Sequence, residues 1–177
     1  MSEGDRADVK RALEDRLFAR DGGHAFAILD GARNLATLDM LEDSDAAFMC
    51  LHTGRLDPEV AATAPYLVEL KEDGTLFDEL FDEGWGDARG LYLRSDLRLR
   101  QVRNHFRPLT HAQMPDGEIV LFRFYDPRAL RTFMPVATPE QRAAMFGDAI
   151  ESYLLESEAG DAIVAYERDA EATAAVA

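Results

Sequence analysis

Asp30, His52, His105 and Asp126 are the side chains of this 177-residue sequence whose types could support metal or acid–base chemistry. Carboxylates and imidazoles of this kind ligate metals in phosphoesterases, and Asp30 with Asp126 could act as a general acid and base if the two met in one cleft. Their spacing supplies no close ligand pair, neither His-x-His nor Asp-x-Asp. A serine nucleophile lacks its Gly-x-Ser-x-Gly elbow, and Cys50, inside the apolar run Ala46-Ala47-Phe48-Met49-Cys50-Leu51, has no adjacent activating charge. Gly84-Trp85-Gly86 matches neither a P-loop nor a dinucleotide fingerprint. The expectation is therefore a protein with no catalytic residues, no metal and no cofactor.

The heptapeptide Phe122-Arg123-Phe124-Tyr125-Asp126-Pro127-Arg128 poses a different problem, because it sets two arginines among aromatic residues. Strand alternation places Phe122 and Phe124 on one face and Arg123 and Tyr125 on the other, and Asp126-Pro127 has the chemistry of a helix start. A guanidinium buried in a strand needs a carboxylate or carbonyl. Asp30, at the end of an earlier apolar run, is the candidate, which makes Asp30–Arg123 a brace between an early and a late strand and Asp126 a helix cap. Arg128 and Tyr125 remain as candidate partner contacts.

The elements that must position these residues follow from periodicity. Val9, Leu13, Leu17 and Phe18 recur at helical spacing over 5–20, until Asp21-Gly22-Gly23 ends the pattern. Buried strands are expected at 24–30, 48–51, 66–70 and 90–94, with helical pieces around 35–41 and 76–81 between them. Strands alternating with helices predict an α/β fold with a mixed, largely parallel sheet flanked by helices. A lobe of helix, hairpin and helices follows: Ser95-Asp96 as the cap of a helix ended by Pro108, strands over 109–114 and 118–125 about the turn Pro115-Asp116-Gly117, and a capping box at Thr138 and Gln141. The expected organisation is an N-terminal amphipathic helix (1–23), a domain over 24–147 made of an α/β lobe (24–94) and the helix-hairpin-helix lobe (95–147), C-terminal strands (148–168) and a disordered tail (169–177).

Charge narrows the partners. Thirty-four acidic residues against 19 Lys and Arg give a net charge of −15, which would repel a phosphate backbone, so no nucleic acid is expected. One cysteine cannot form an internal disulfide, and neither a signal peptide nor a membrane-length apolar run is visible, so the expected location is the cytoplasm. The helix after Ser95 runs against the overall charge: Leu99, Val102 and Phe106 form its apolar stripe, while Arg98, Arg100, Arg103 and Arg107 surround it with His105. This face reads equally as a solvated surface paired with nearby acids or as a docking surface for an acidic partner, and the acid-rich segment after Gly147 could supply that partner in cis.

The phrases AILDGA (27–32), APYLVEL (64–70), EGWG (83–86), GLYLRS (90–95), LRLRQVRNHFR (97–107), PDGEIVLFRFYDPRAL (115–130) and TPEQRAAMFG (138–147), in this order and spacing, resemble the VasW-like effector chaperones, or adaptors, of bacterial type VI secretion systems. The resemblance spans His24 to Gly147. It implies a non-catalytic cytoplasmic protein of a Gram-negative bacterium that binds a cognate secreted effector and helps load it onto the VgrG spike. The matching positions are Asp30, Gly31, Pro65, Tyr66, Trp85, Ser95, His105 and Phe122 through Arg128, taken as fold or interface residues. Arg89 stands where an aromatic would be expected before Gly90, which marks it as a candidate partner-specific contact beside Trp85. An immunity protein that neutralises a toxin is the alternative reading, and a metal-dependent or acid–base hydrolase the third.

Overall fold

Helix α1 (Glu3–Phe18) buries Val9, Leu13 and Leu17 and leads into the central strand β1 (His24–Asp30), six of whose seven side chains are buried. The chain continues through α2 (Thr37–Asp43), β2 (Phe48–Cys50), α3 (Pro58–Ala62), β3 (Pro65–Leu70), α4 (Leu76–Gly84), β4 (Gly90–Ser95) and α5 (Leu99–Phe106). A short 3-10 turn, the hairpin β5 (His111–Gln113) and β6 (Ile119–Leu121), helices α6 (Pro127–Phe133) and α7 (Pro139–Phe146), and strands β7 (Ile150–Glu156), β8 (Ile163–Glu167) and β9 (Ala174–Val176) complete it. This computed structural model describes residues 2–18, 22–114, 116–148 and 150–169, and the backbone of 174–176. Asp21 and Pro115, which the sequence reading placed in turns, and most of the expected tail lie outside the described residues.

The main sheet has seven strands in the order β2-β3-β1-β4-β7-β8-β9, and every neighbouring pair is antiparallel. This corrects the expectation of a largely parallel sheet. The strand–helix–strand unit β3–α4–β4 does exist, and because both strands run antiparallel to β1 they are parallel to each other. β1 is inserted between them, so no parallel pair forms. The long apolar runs arose from burial on both faces, which antiparallel strands also meet when helices cover both sides.

One layer packs α1, α2 and α4 against Ala25, Ala27, Leu29, Tyr66, Val68 and Tyr92. The opposite layer packs α5, α6 and α7 against Phe26, Ile28, Leu67, Leu91, Leu93 and Tyr153. Residues 95–147 therefore form this second helical layer, between two strands that pair directly with each other, β4 and β7. Among the described residues, the acid-rich segment after Gly147 supplies β7 and β8 of the same sheet, so this part is not free to cover α5 as a partner in cis. β1 and β4 approach so closely that a Cβ on Gly90 would overlap the Ile28 carbonyl oxygen.

Two local expectations change. Helix α5 starts at Leu99, with the Gln101 side chain accepting from the Arg98 N–H, while Ser95 stays in β4 and its hydroxyl accepts from Leu97 N–H. The expected strand over 118–125 pairs only at Ile119–Leu121, after which the chain turns and Asp126 N–H donates to the Arg123 carbonyl at 3.0 Å. A continued strand would have kept Phe124 and Tyr125 on opposite faces; the turn lets both be buried, Phe124 stacking on Phe106 at 5.2 Å.

Candidate partner-binding surface

Turning the chain at Arg123 brings that guanidinium onto the Asp30 carboxylate, with Asp30 1% exposed and the Arg123 side chain 36% exposed. The other Asp30 oxygen accepts from Ala32 N–H, and the bond from Asp30 holds Arg123's pKa above its ordinary value. Asp126 caps α6 through Arg128 N–H and receives the Arg128 side chain at 2.6 Å. Burial pushes the Asp126 pKa up, but the Arg128 bonds together outweigh it and hold the carboxyl below the usual range. Tyr125 is buried beside both pairs, and burial pushes its hydroxyl up to about 12. Each carboxylate is thus occupied by its own arginine, and among the described residues no group of His, Cys, Asp and Glu is placed to hold a metal ion. Burial also raises the Cys50 thiol's pKa.

Trp85 and Arg89 belong to the opposite layer. The indole is 6% exposed, stacks on Phe81 at 5.0 Å and donates to the Gly160 carbonyl at 2.8 Å, so it is an interior contact between α4 and the β7–β8 turn. The loop after it encloses Glu156, whose carboxylate accepts from Gly86 N–H (2.6 Å) and Ala88 N–H (2.8 Å). Ala88 adopts φ +54° in doing so, and burial raises the pKa of Glu156. Half-buried Arg89 lies over Gly84 and meets Asp87 at 3.4 Å.

On α5 the basic residues divide into fixed and free. Arg103 donates to the carbonyls of Cys50 (2.5 Å) and His52 (3.0 Å), fastening the helix to the end of β2. His105 donates from Nε2 to the Met145 carbonyl at 2.8 Å, fastening it to α7. Arg98 and Arg100 are exposed and form no ion pair among the described residues. Arg107 is half-buried, and its Nε is the one buried side-chain nitrogen or oxygen without a hydrogen-bond partner among the described residues.

Arg107 lines an open groove of about 810 Å³ between the end of α5, the segment after β2 and the β5–β6 hairpin, with Leu51, Leu56, Leu121, His52 and His111. Burial, and secondly the charge of nearby His111, lower the His52 pKa. Beside the groove, β6 leaves Ile119 69% and Leu121 52% exposed. The sequence reading missed this apolar strip because it assigned the whole of 118–125 to one continuous hairpin strand. The available signal was Ile119-Val120-Leu121 itself: three successive apolar residues in a two-stranded hairpin cannot all turn to one side.

The same reading missed Arg94, which is 5% exposed in β4. It donates to the carbonyls of Leu17 (2.5 Å) and Gly22 (2.8 Å) and to Glu151 (3.1 Å), joining the end of α1 to the sheet.

The chain is thus a three-layer domain with an antiparallel sheet, structural ion pairs in its interior and a basic–apolar groove on its surface. The chain belongs to the family described as a domain of unknown function, DUF4123, whose model matches residues 25–144. No curated protein and no solved structure matches the chain. Among the described residues, no helix is long and apolar enough to cross a membrane.

Proposed function

We propose that this protein is a VasW-like effector adaptor of a type VI secretion system, acting in the cytoplasm of a Gram-negative bacterium. It binds a cognate toxic effector and promotes its loading onto the VgrG spike. The reading is supported by membership of the DUF4123 family across 25–144, which falls within the stretch His24 to Gly147 over which the adaptor resemblance runs. The unpaired arginines of α5 and the adjoining groove offer a contact surface. In this reading the chain works by binding, and the charged residues that resembled catalytic candidates organise its interior.

Affinity capture of the full chain from the bacterium that encodes it, with bound proteins identified by mass spectrometry, tests the proposal. Recovery of a VgrG-type spike protein together with one large toxin is the expected result. A toxin held without spike protein and with its catalysis blocked would replace the adaptor with an immunity protein. Charge reversal by Arg98→Glu and Arg100→Glu, both at exposed positions, should weaken the captured complex while leaving the unfolding transition in place.

A further inference from the structure

We infer that the groove beside α5 seats a partner segment in which acidic side chains alternate with large aliphatic ones. The inference rests on the adaptor reading for its biology, but on the groove alone for its chemistry. None of the ten residues lining the groove is Asp or Glu, although the chain has 34 acids and only 19 Lys and Arg. A second groove of about 680 Å³ in the same molecule has the opposite balance, with Asp43, Asp45, Glu69, Asp73 and Glu79 against Lys71 in its lining.

Arg107 supplies the polar anchor. It is a half-buried residue of the groove lining whose guanidinium forms no ion pair among the described residues, so a partner carboxylate can form a charge-assisted bond with it. Arg100, Asn104 and Arg107 follow one another at i, i+4 and i+7, so the exposed cation of Arg100 lies on the same helix stripe, beyond groove-lining Asn104. Arg103 is spent on the Cys50 and His52 carbonyls and instead fixes the groove wall. Leu51, Leu56 and Leu121 supply the apolar half, continued by Ile119 on the same face of β6. The aliphatic residues of the partner would cover Leu121 and Ile119, which water now meets, while Leu51 is already buried beneath, and its carboxylates would meet arginine.

The net charge makes the test discriminating. Non-specific attraction to a protein of charge −15 favours a basic peptide, so a preference for an acidic one has to come from a local site. Fluorescence anisotropy would be measured on the full chain with two labelled dodecapeptides, one alternating Glu and Leu and the other Lys and Leu. The Glu/Leu peptide is expected to bind, and Arg107→Glu and Leu121→Ser are each expected to weaken it at least fivefold. Trp85 fluorescence checks that each variant is folded, and Leu121→Ser, at an exposed position, keeps the test available if Arg107→Glu does not fold. No binding of the Glu/Leu peptide at 1 mM, or a smaller change in the folded variants, overturns the inference. So does a dimer of this chain that Leu121→Ser dissolves, since a second copy would then fill the groove. Failure here with a toxin recovered by affinity capture moves the binding site elsewhere; peptide binding with no toxin recovered removes the adaptor reading and leaves the groove.

Discussion

Removing Arg123 should damage the fold more than neutralising Asp30, although the two make one interaction. Arg123→Ala leaves the Asp30 carboxylate 1% exposed, with Ala32 N–H as its remaining donor. Breaking a buried ion pair from one side costs about 3–5 kcal/mol, and the partial exposure of Arg123 places this pair near the bottom of that range, about 3 kcal/mol. Asp30→Asn retains an acceptor for Ala32 N–H and frees a guanidinium that can turn to water, so its cost is about 1–1.5 kcal/mol. The double variant no longer holds a stranded charge, and the cycle should show a coupling of about 1–2 kcal/mol. Urea unfolding followed by fluorescence reads all four proteins, because the single tryptophan, Trp85, is buried against Phe81 and becomes exposed on unfolding. A loss of about 3 kcal/mol corresponds to roughly 6–12 °C in Tm for a chain of this size. Additive single effects, or a cost for Arg123→Ala below about 0.5 kcal/mol, would refute the brace.

Three further outcomes follow from the geometry. Burial raises the pKa of Glu156 above its ordinary 4.5, so the folded chain holds this proton to higher pH than the unfolded chain does. That contribution to stability is complete below the ordinary value and is lost as pH rises through the raised one, so the stability difference between wild type and Glu156→Gln should tilt against wild type across that window, as read by urea titrations at successive pH values. Gly90→Ala would drive a methyl into the Ile28 carbonyl and should cost about 3 kcal/mol or prevent folding, seen as loss of soluble yield or a lower urea midpoint. Arg94→Lys cannot span the carbonyls of Leu17 and Gly22 together with Glu151, and should cost about 2–3 kcal/mol in the same urea assay.

Much of this architecture is legible in residue order because its signals are local. The spacing of Val9, Leu13 and Leu17 identifies α1, the Asp126-Pro127 and Thr138–Gln141 patterns start α6 and α7, and the even apolar runs locate β1, β3 and β4. The rule that a guanidinium among apolar residues needs a partner singled out Arg123 with Asp30. Applied equally to Arg94, in the run Gly90-Leu91-Tyr92-Leu93-Arg94, it would have marked a second tie. Trp85 shows the opposite limit: a tryptophan between two glycines looks displayed, and the turn before β8 covers it by placing the Gly160 carbonyl on its indole.

Residue order carries most of the elements, though not the short α3, together with the acidity, the family resemblance and the want of a motif with catalytic spacing, since each depends on neighbours along the chain or on composition. The direction of the strands emerges only on folding, because a run buried on both faces has the same composition whichever way its neighbour points. Folding also decides which arginines are free. Arg100, Arg103 and Arg107 are equivalent as letters, and they part only when the carbonyls of Cys50 and His52, some fifty residues earlier, arrive beside one and leave the other two facing solvent and groove.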